Sequence, residues 1–230
     1  ALRIYDNDAG AAPFDATALA ATLAECRRAW SQSPQRFSSL ARDLPPALHA
    51  CRLARWQKQS MDTAVLLVEA YHLARELFTA CGDHSMAATV ADRSMGTAAQ
   101  IHHGRLIAAS AWHVADALRH LSYAGESHDY ALAAARVLAA DVPDTTEDAV
   151  LWGALHLLAA HAAAAARDLA ETSRLRRIAK SVADTIGADG ESLGICFGPT
   201  EIGITSIQIA LTQHDPDEAI RLAAMVEPAA

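Results

Sequence analysis

Side chains that could bind a small molecule recur at one position of several predicted helices. They combine carboxylates, imidazoles, a guanidinium and an indole, and they are Glu69, His72, Glu76, Trp112, Asp116, Arg119, His161, Glu201 and Gln208. An indole offers a π face to a cation and carboxylates offer charge, so this mixture suits a polar or cationic small molecule. The alternative is an ordinary solvated groove. We hypothesise that Trp112, Glu69 and Glu76 form the floor of a pocket; the alternative for Trp112 is packing between repeats.

No motif for catalysis or metal binding accompanies these residues. The sequence has no nucleophile elbow, no phosphate-binding loop and no glycine-rich dinucleotide turn after a strand. The 11 histidines include no His-Glu-x-x-His pair. His156 and His161 lie about 140° apart around a helix, so they do not share a face. We therefore predict a protein that is not an enzyme, with no cofactor and no metal site, and we expect His156 to bond to backbone at the core edge.

The four cysteines show no Cys-x-x-Cys spacing and stand in apolar contexts. They are Cys26, Cys51, Cys81 and Cys196. Thiols without paired spacing are typical of reduced proteins, in which a cysteine acts as a small hydrophobe. We predict four buried, reduced thiols and a cytoplasmic protein.

A recurring turn positions the candidate side chains. Cys81-Gly82-Asp83, Ala124-Gly125-Glu126, Ala166-Arg167-Asp168 and Gln213-His214-Asp215 follow one another at intervals of 43, 42 and 47 residues. Each turn ends one helical pattern and begins another, which usually has small residues where the helices cross. This pattern predicts an all-α, tetratricopeptide-like, right-handed superhelix of antiparallel helix pairs. We therefore predict that residues 1–230 form one domain, with atypical helices over 1–60 and about four degenerate pairs over 61–230. The first helix of each pair lines the concave wall.

Local signals predict several helix boundaries. Thr145 to Asp148 reads as a capping box, and Gly198-Pro199-Thr200-Glu201 opens a helix with proline at its first position. Pro45-Pro46 should separate a short helix from the next one, because the residue before a proline avoids the helical conformation. The glycine-rich segment 187–198 is predicted to be a flexible connector without strands.

Composition and charge narrow the possible partners. Apolar residues are 52% and aromatic residues 5% of the chain, and the net charge is −8. An acidic chain is a poor binder of a phosphate backbone, so we expect no DNA binding by this chain alone. We also find no apolar stretch of membrane-spanning length and expect no membrane partner. The one asparagine, Asn7, lies before the array, so a small-molecule effector is favoured over a peptide in the groove.

Several segments together resemble a known family. The stretches are Ala29-Trp30, Phe37 to Pro45, Tyr71-His72-Leu73, Ala91 to Met95, Leu151 to Leu157, Phe197-Gly198-Pro199-Thr200 and Asp215 to Ala223. Throughout its length, the chain resembles the C-terminal tetratricopeptide-like domain of actinobacterial XRE-type helix-turn-helix transcriptional regulators. Glu201 and Thr205 depart from that family, which usually has Asn and His at these positions.

The resemblance implies a regulatory domain that senses a ligand and forms a homodimer. DNA would be bound only through an N-terminal helix-turn-helix domain that this chain lacks, and Ala1-Leu2-Arg3 would follow that domain. The alternative function is a tetratricopeptide scaffold that binds a protein or peptide partner. Nothing in the sequence supports the third possibility, an all-α enzyme.

Overall fold

The computed structural model describes residues 15–139, 142–143 and 145–226. The polar stretch that contains Asn7 lies outside these residues. The described chain forms ten helices and one hairpin: α1 (Ala16–Gln32), α2 (Arg36–Gln57), α3 (Met61–Ala80), α4 (His84–Ile101), α5 (Gly104–His120), α6 (Ala124–Leu138), α7 (Thr146–Ala165), α8 (Leu169–Ile186), β1 (Gly190–Ser192), β2 (Ile195–Phe197), α9 (Pro199–Thr212) and α10 (Pro216–Ala223).

Successive helices pack as pairs in two layers. α3 packs on α4, α5 on α6, α7 on α8 and α9 on α10, while α1 packs on α2. The first helices also contact one another in the order α3, α5, α7 and α9. They therefore form a continuous inner layer, and the predicted all-α fold of packed helix pairs is confirmed.

Local capping sets many of the predicted helix ends. The Thr145 side chain accepts a hydrogen bond from the backbone N–H of Asp148 at the start of α7. Asp83, Asp168 and Asp215 cap α4, α8 and α10 in the same way, each at one of the recurring turns. Pro199 occupies the first turn of α9 after Gly198. These ends depend on side chains only a few residues away, which explains why the sequence predicts them.

The predicted break at Pro45-Pro46 is wrong. Both prolines lie inside the continuous helix α2. Two backbone donors are missing there, but Leu40, Leu44 and Cys51 on either side are buried in one cluster with α1 and α3. Burial of this common face outweighs the lost hydrogen bonds and keeps the helix in one piece.

Two further expectations are corrected around the central helix α7. This helix is long and apolar enough, by length and composition alone, to cross a membrane, but 89% of its apolar window is buried within the protein. It is the core helix, packed against α5, α6, α8, α9 and the hairpin. The segment 187–198 contains the antiparallel strands β1 and β2 rather than only a flexible connector.

The hairpin is held to α7 by a close approach that requires glycine. A Cβ atom at Gly153 would overlap the ring of Phe197, which is fully buried. Because Gly153 leaves that space open, Phe197 enters the main core, and Ile202 of α9 packs against the same core. The hairpin and the start of α9 are thereby fixed against the inner layer.

Candidate functional site

A cavity of about 210 Å³ lies between the inner-layer helices α5, α7 and α9 and the strand β2. Its lining residues are Trp112, Asp116, Arg119, Ala154, Leu157, Leu158, His161, Cys196, Glu201, Thr205 and Gln208. The structure thus brings together six of the nine predicted site residues, drawn from three successive helix pairs. Leucine and alanine side chains of α7 provide the apolar wall between the polar groups.

The cationic side of the cavity is an ion network around Asp116. The Asp116 carboxylate accepts hydrogen bonds from Arg75 of α3 and from Arg119, whose Nη2 lies 2.7 Å from Oδ1. Burial lowers the pKa of Arg75 to about 10. The Asp116 carboxylate therefore faces two guanidinium groups, and Glu76 is a second acidic neighbour of Arg75.

Trp112 is both a wall of the cavity and a packing residue. Its ring packs against the main core, and the Arg75 guanidinium carbon lies 5.4 Å from its centroid. The ring also meets His113 edge-on at a centroid distance of 5.1 Å. Because Arg75 already occupies a cation–π position on the indole, Trp112 contributes shape and an apolar edge to a ligand more than a free π face.

Glu201 is the carboxylate of the cavity that has no ion-pair partner within the described ranges. Its oxygen accepts a hydrogen bond from Thr205 at 3.4 Å. Burial raises the pKa of Glu201, although the Thr205 hydrogen bond opposes that rise. A cationic or hydrogen-bond-donating group of a ligand would satisfy this carboxylate.

His161 and Gln208 complete the polar lining. His161 Nε2 lies 3.4 Å from the Thr212 hydroxyl, and burial together with the charge of Arg119 lowers the pKa of His161 to about 4. The imidazole is therefore neutral at pH 7. Gln208 is exposed at the cavity rim. Both side chains offer hydrogen bonds without net charge.

Three predicted residues, Glu69, His72 and Glu76, lie outside this cavity, so it does not unite Trp112 with Glu69 and Glu76 in one floor. Glu76 pairs instead with Arg27 of α1, 3.6 Å away. Burial raises the pKa of Glu69 and of Glu76, and the nearby Arg27 opposes both shifts. His72 is fully buried and stacks on His113 at a centroid distance of 3.9 Å. Helix α1 and the hairpin turn occupy this part of the inner surface, which the repeat spacing of α3 could not reveal.

Cys196 and Thr205 also line the cavity, although neither was among the predicted site residues. Cys196 alternates with the buried residues Ile195 and Phe197 along β2, an alternation that is typical of a strand with one exposed face. The prediction of four buried thiols holds for Cys26 and Cys51, whereas Cys81 and Cys196 are exposed. Within residues 15–139, 142–143 and 145–226, no group of three or more His, Cys, Asp and Glu side chains could hold a metal ion.

His156 takes the predicted structural role. Its Nδ1 donates to the Trp152 carbonyl oxygen at 2.8 Å, and the two rings lie 3.7 Å apart. The imidazole is thus held at the core edge by the backbone of its own helix.

Comparison with known proteins supports the assignment of the fold but gives no information about the function. No protein-family model matches the chain, and no curated protein matches it. The chain is similar to the crystal structure of BtubC (BKLC) from P. vanneervenii, with a TM-score of 0.54 over 94% of this chain and 93% of that chain. The sequences are 14% identical, so this likeness shows a shared all-α fold alone.

Proposed function

We propose that this chain is the non-catalytic regulatory domain of a transcriptional regulator, and that its effector is a small polar molecule. The observation that carries the proposal is the cavity between α5, α7 and α9, which joins one unpaired carboxylate, a cationic network and an apolar wall. Pockets of this kind, with a few convergent polar groups, are the usual form of small-molecule sites. The regulatory role is inferred from the resemblance of the sequence to XRE-type regulators.

The charges of the cavity favour an effector with a cationic group. Glu201 would hold that group, while Arg119 would face a carbonyl or carboxylate oxygen of the same molecule. Binding across three helix pairs would favour one curvature of the superhelix over another. A homodimer would transmit that change to the attached DNA-binding domains.

The scaffold alternative has less support. An extended peptide needs a long open groove, but Arg27 and the hairpin turn occupy the inner surface beside α3. No asparagine stands in the described residues to bind a peptide backbone at both its donor and acceptor groups. A compact effector fits the remaining space better than a peptide.

Thermal shift measurements with small amines, amino acids and aliphatic acids, each at about 1 mM, test the effector site. We expect cationic compounds to raise the Tm of the wild type, and Glu201→Gln to abolish that rise. Glu147→Gln, an exposed carboxylate in the first turn of α7, is the matched control and should respond like the wild type. An equal response of Glu201→Gln, or no stabilisation of the wild type by any compound, would contradict the proposal.

A further inference from the structure

The β1–β2 hairpin connects the cavity to the first helix pair. Its two-residue turn consists of Leu193 and Gly194, with φ values of +52° and +80°. Leu193 packs against both the main core and the separate small cluster of Val68, Ala98 and Leu106. A leucine rarely adopts positive φ, so the packing of this half-buried side chain between two clusters stabilises a conformation that is otherwise unfavourable.

At its tip the hairpin touches α1. A Cβ atom at Gly194 would overlap the guanidinium group of Arg27, so glycine permits the approach both by its backbone and by its lack of a side chain. The same guanidinium pairs with Glu76 of α3. Its Nη2 is buried and has no hydrogen-bond partner within the described residues. The Arg27 guanidinium therefore lies between the hairpin tip and α3, with Glu76 as its ion-pair partner.

At its base the hairpin forms part of the cavity. Cys196 pairs with Glu191 across the two strands, and its side chain lines the cavity. Only one residue, Ile195, separates Cys196 from Gly194. The connection from the cavity wall to the hairpin tip is therefore two peptide units long, within a tight two-residue turn.

We propose that the hairpin transmits occupancy of the cavity to α1, through Cys196 at one end and the contact of Gly194 with Arg27 at the other. A group that presses on Cys196 tilts the hairpin tip about its anchor at Phe197, which moves Gly194 against Arg27 and loosens the pairing of Arg27 with Glu76. Helix α1 then packs less tightly on α3. This inference rests on the proposed function in one respect: a preceding DNA-binding domain would be attached on the α1 side.

A glycine pair isolates the contact at the hairpin tip. In Gly194→Ala the new methyl group meets Arg27, whereas Gly187→Ala has a similar positive φ of +74° and meets nothing within 4 Å. Both variants place alanine at a similar positive φ, so Gly187→Ala controls for the backbone conformation and the difference between the variants reports the Arg27 contact. We expect the amides of α1 to exchange hydrogen at least about threefold faster in Gly194→Ala than in Gly187→Ala. Equal exchange in the two variants would overturn the proposal.

A covalent group on Cys196 tests the other end without any effector. In a Cys81→Ser background, methyl methanethiosulfonate adds a methylthio group to the exposed Cys196 thiol. We expect faster exchange of α1 amides after this labelling. The reference is the Cys196→Ser variant labelled at Cys81, in which the hydrogen exchange of the α1 amides should be unchanged by labelling. Exchange that changes in β2 but not in α1 would show that the hairpin does not transmit occupancy.

The two proposals fail in different ways. An unchanged α1 after labelling of Cys196 rejects the transmission but leaves the amine-binding test of Glu201 unaffected. Conversely, an absence of Glu201-dependent stabilisation rejects the effector site, while the labelling still measures whether the hairpin and α1 move together.

Discussion

At the scale of single residues, the inner surface is a set of buried charges whose partners come from different helices. Asp116 of α5 is joined to Arg75 of α3, and Glu76 of α3 is joined to Arg27 of α1. A buried ion that loses its partner is costly, so these pairs tie neighbouring helix pairs together. Glu201, a carboxylate of the cavity, has no ion-pair partner among the described residues.

Replacement of Trp112 should affect stability as well as binding. Because the ring packs on the core and beneath Arg75, Trp112→Ala should lower the free energy of unfolding by about 2 to 4 kcal/mol. Trp56→Ala is the control, since Trp56 is 67% exposed, and it should change stability by less than about 0.5 kcal/mol. Urea unfolding measures both. Equal stability of the two variants would mean that Trp112 only lines the cavity.

Acidification should destabilise the protein through its buried imidazoles. Burial, with nearby Arg27 and Arg75, lowers the pKa of His72 to about 3, and burial lowers the pKa of His113 well below 6.5. Below about pH 6.5 the unfolded chain therefore binds protons at these two histidines, whereas in the folded chain both imidazoles stay neutral. Stability contributed by neutral His72 and His113 is complete above pH 6.5 and decreases as the pH falls below it, by about 2 kcal/mol near pH 5 for His72.

The buried glutamates oppose this trend, so a variant is needed to isolate the histidines. Burial raises the pKa of Glu69, Glu76 and Glu201, and each of them favours the folded state as the pH falls. Urea unfolding at about pH 7 and about pH 5 should show a smaller pH-dependent loss for His113→Leu than for the wild type. The exposed His214, replaced by Gln, should leave the wild-type dependence intact. An undiminished loss in His113→Leu would contradict the assignment.

At the scale of elements, the hairpin is the feature that distinguishes this inner surface from a simple row of helices. Phe197 fixes its base in the core, Leu193 bridges two clusters, and Gly194 reaches α1. The hairpin thus divides the concave side into a closed part beside α3 and an open cavity beside α9.

A pair of helical glycines tests how tightly the hairpin base is packed. In Gly153→Ala the new methyl group would overlap the Phe197 ring. This overlap should lower the free energy of unfolding by about 1 to 3 kcal/mol, although alanine is the better helix former. Gly96→Ala, inside α4 with nothing within 4 Å, should instead stabilise by about 0.5 to 1 kcal/mol. Thermal or urea unfolding distinguishes the expected loss of stability in Gly153→Ala from the expected gain in Gly96→Ala. Stabilisation by Gly153→Ala would show that Phe197 is loosely packed.

At the scale of the whole molecule, charge argues against direct contact with DNA. The net charge is −8. We expect this chain to show no sequence-specific DNA binding at about 0.15 M salt, because its net negative charge opposes the approach of a phosphate backbone. Selection from a random duplex pool, followed by fluorescence anisotropy, measures this. Enrichment of a single sequence by this chain alone would refute the expectation.

The proposed homodimer has a candidate surface at the last helix pair. Ile204, Leu211 and Ile220 of α9 and α10 are 39%, 55% and 69% exposed. If they form the interface, Ile220→Asp should raise the dimer dissociation constant at least about tenfold, because a carboxylate would be buried without a partner. Val137→Asp, 64% exposed on α6, is the matched control. Sedimentation velocity that shows equal association for both variants would exclude this surface.

The sequence by itself determines the helix pairs and most of their ends. Thr145, Asp83 and Pro199 act on backbone groups within a few residues, and the turns recur at a nearly constant spacing. The same spacing places Trp112, Asp116, Arg119, His161, Glu201 and Gln208 on inner helices, and the structure gathers these six around one cavity.

Only the tertiary structure decides what depends on distant segments. Helix α2 continues through Pro45-Pro46 because α1 and α3 bury its common face. The strands β1 and β2 form because α7 offers the space above Gly153 for Phe197, a contact 44 positions away in the chain. Arg27, supplied by α1, pairs with Glu76, which lies outside the cavity. Local patterns cannot encode these outcomes, since each results from burial and charge pairing between elements that meet only after folding.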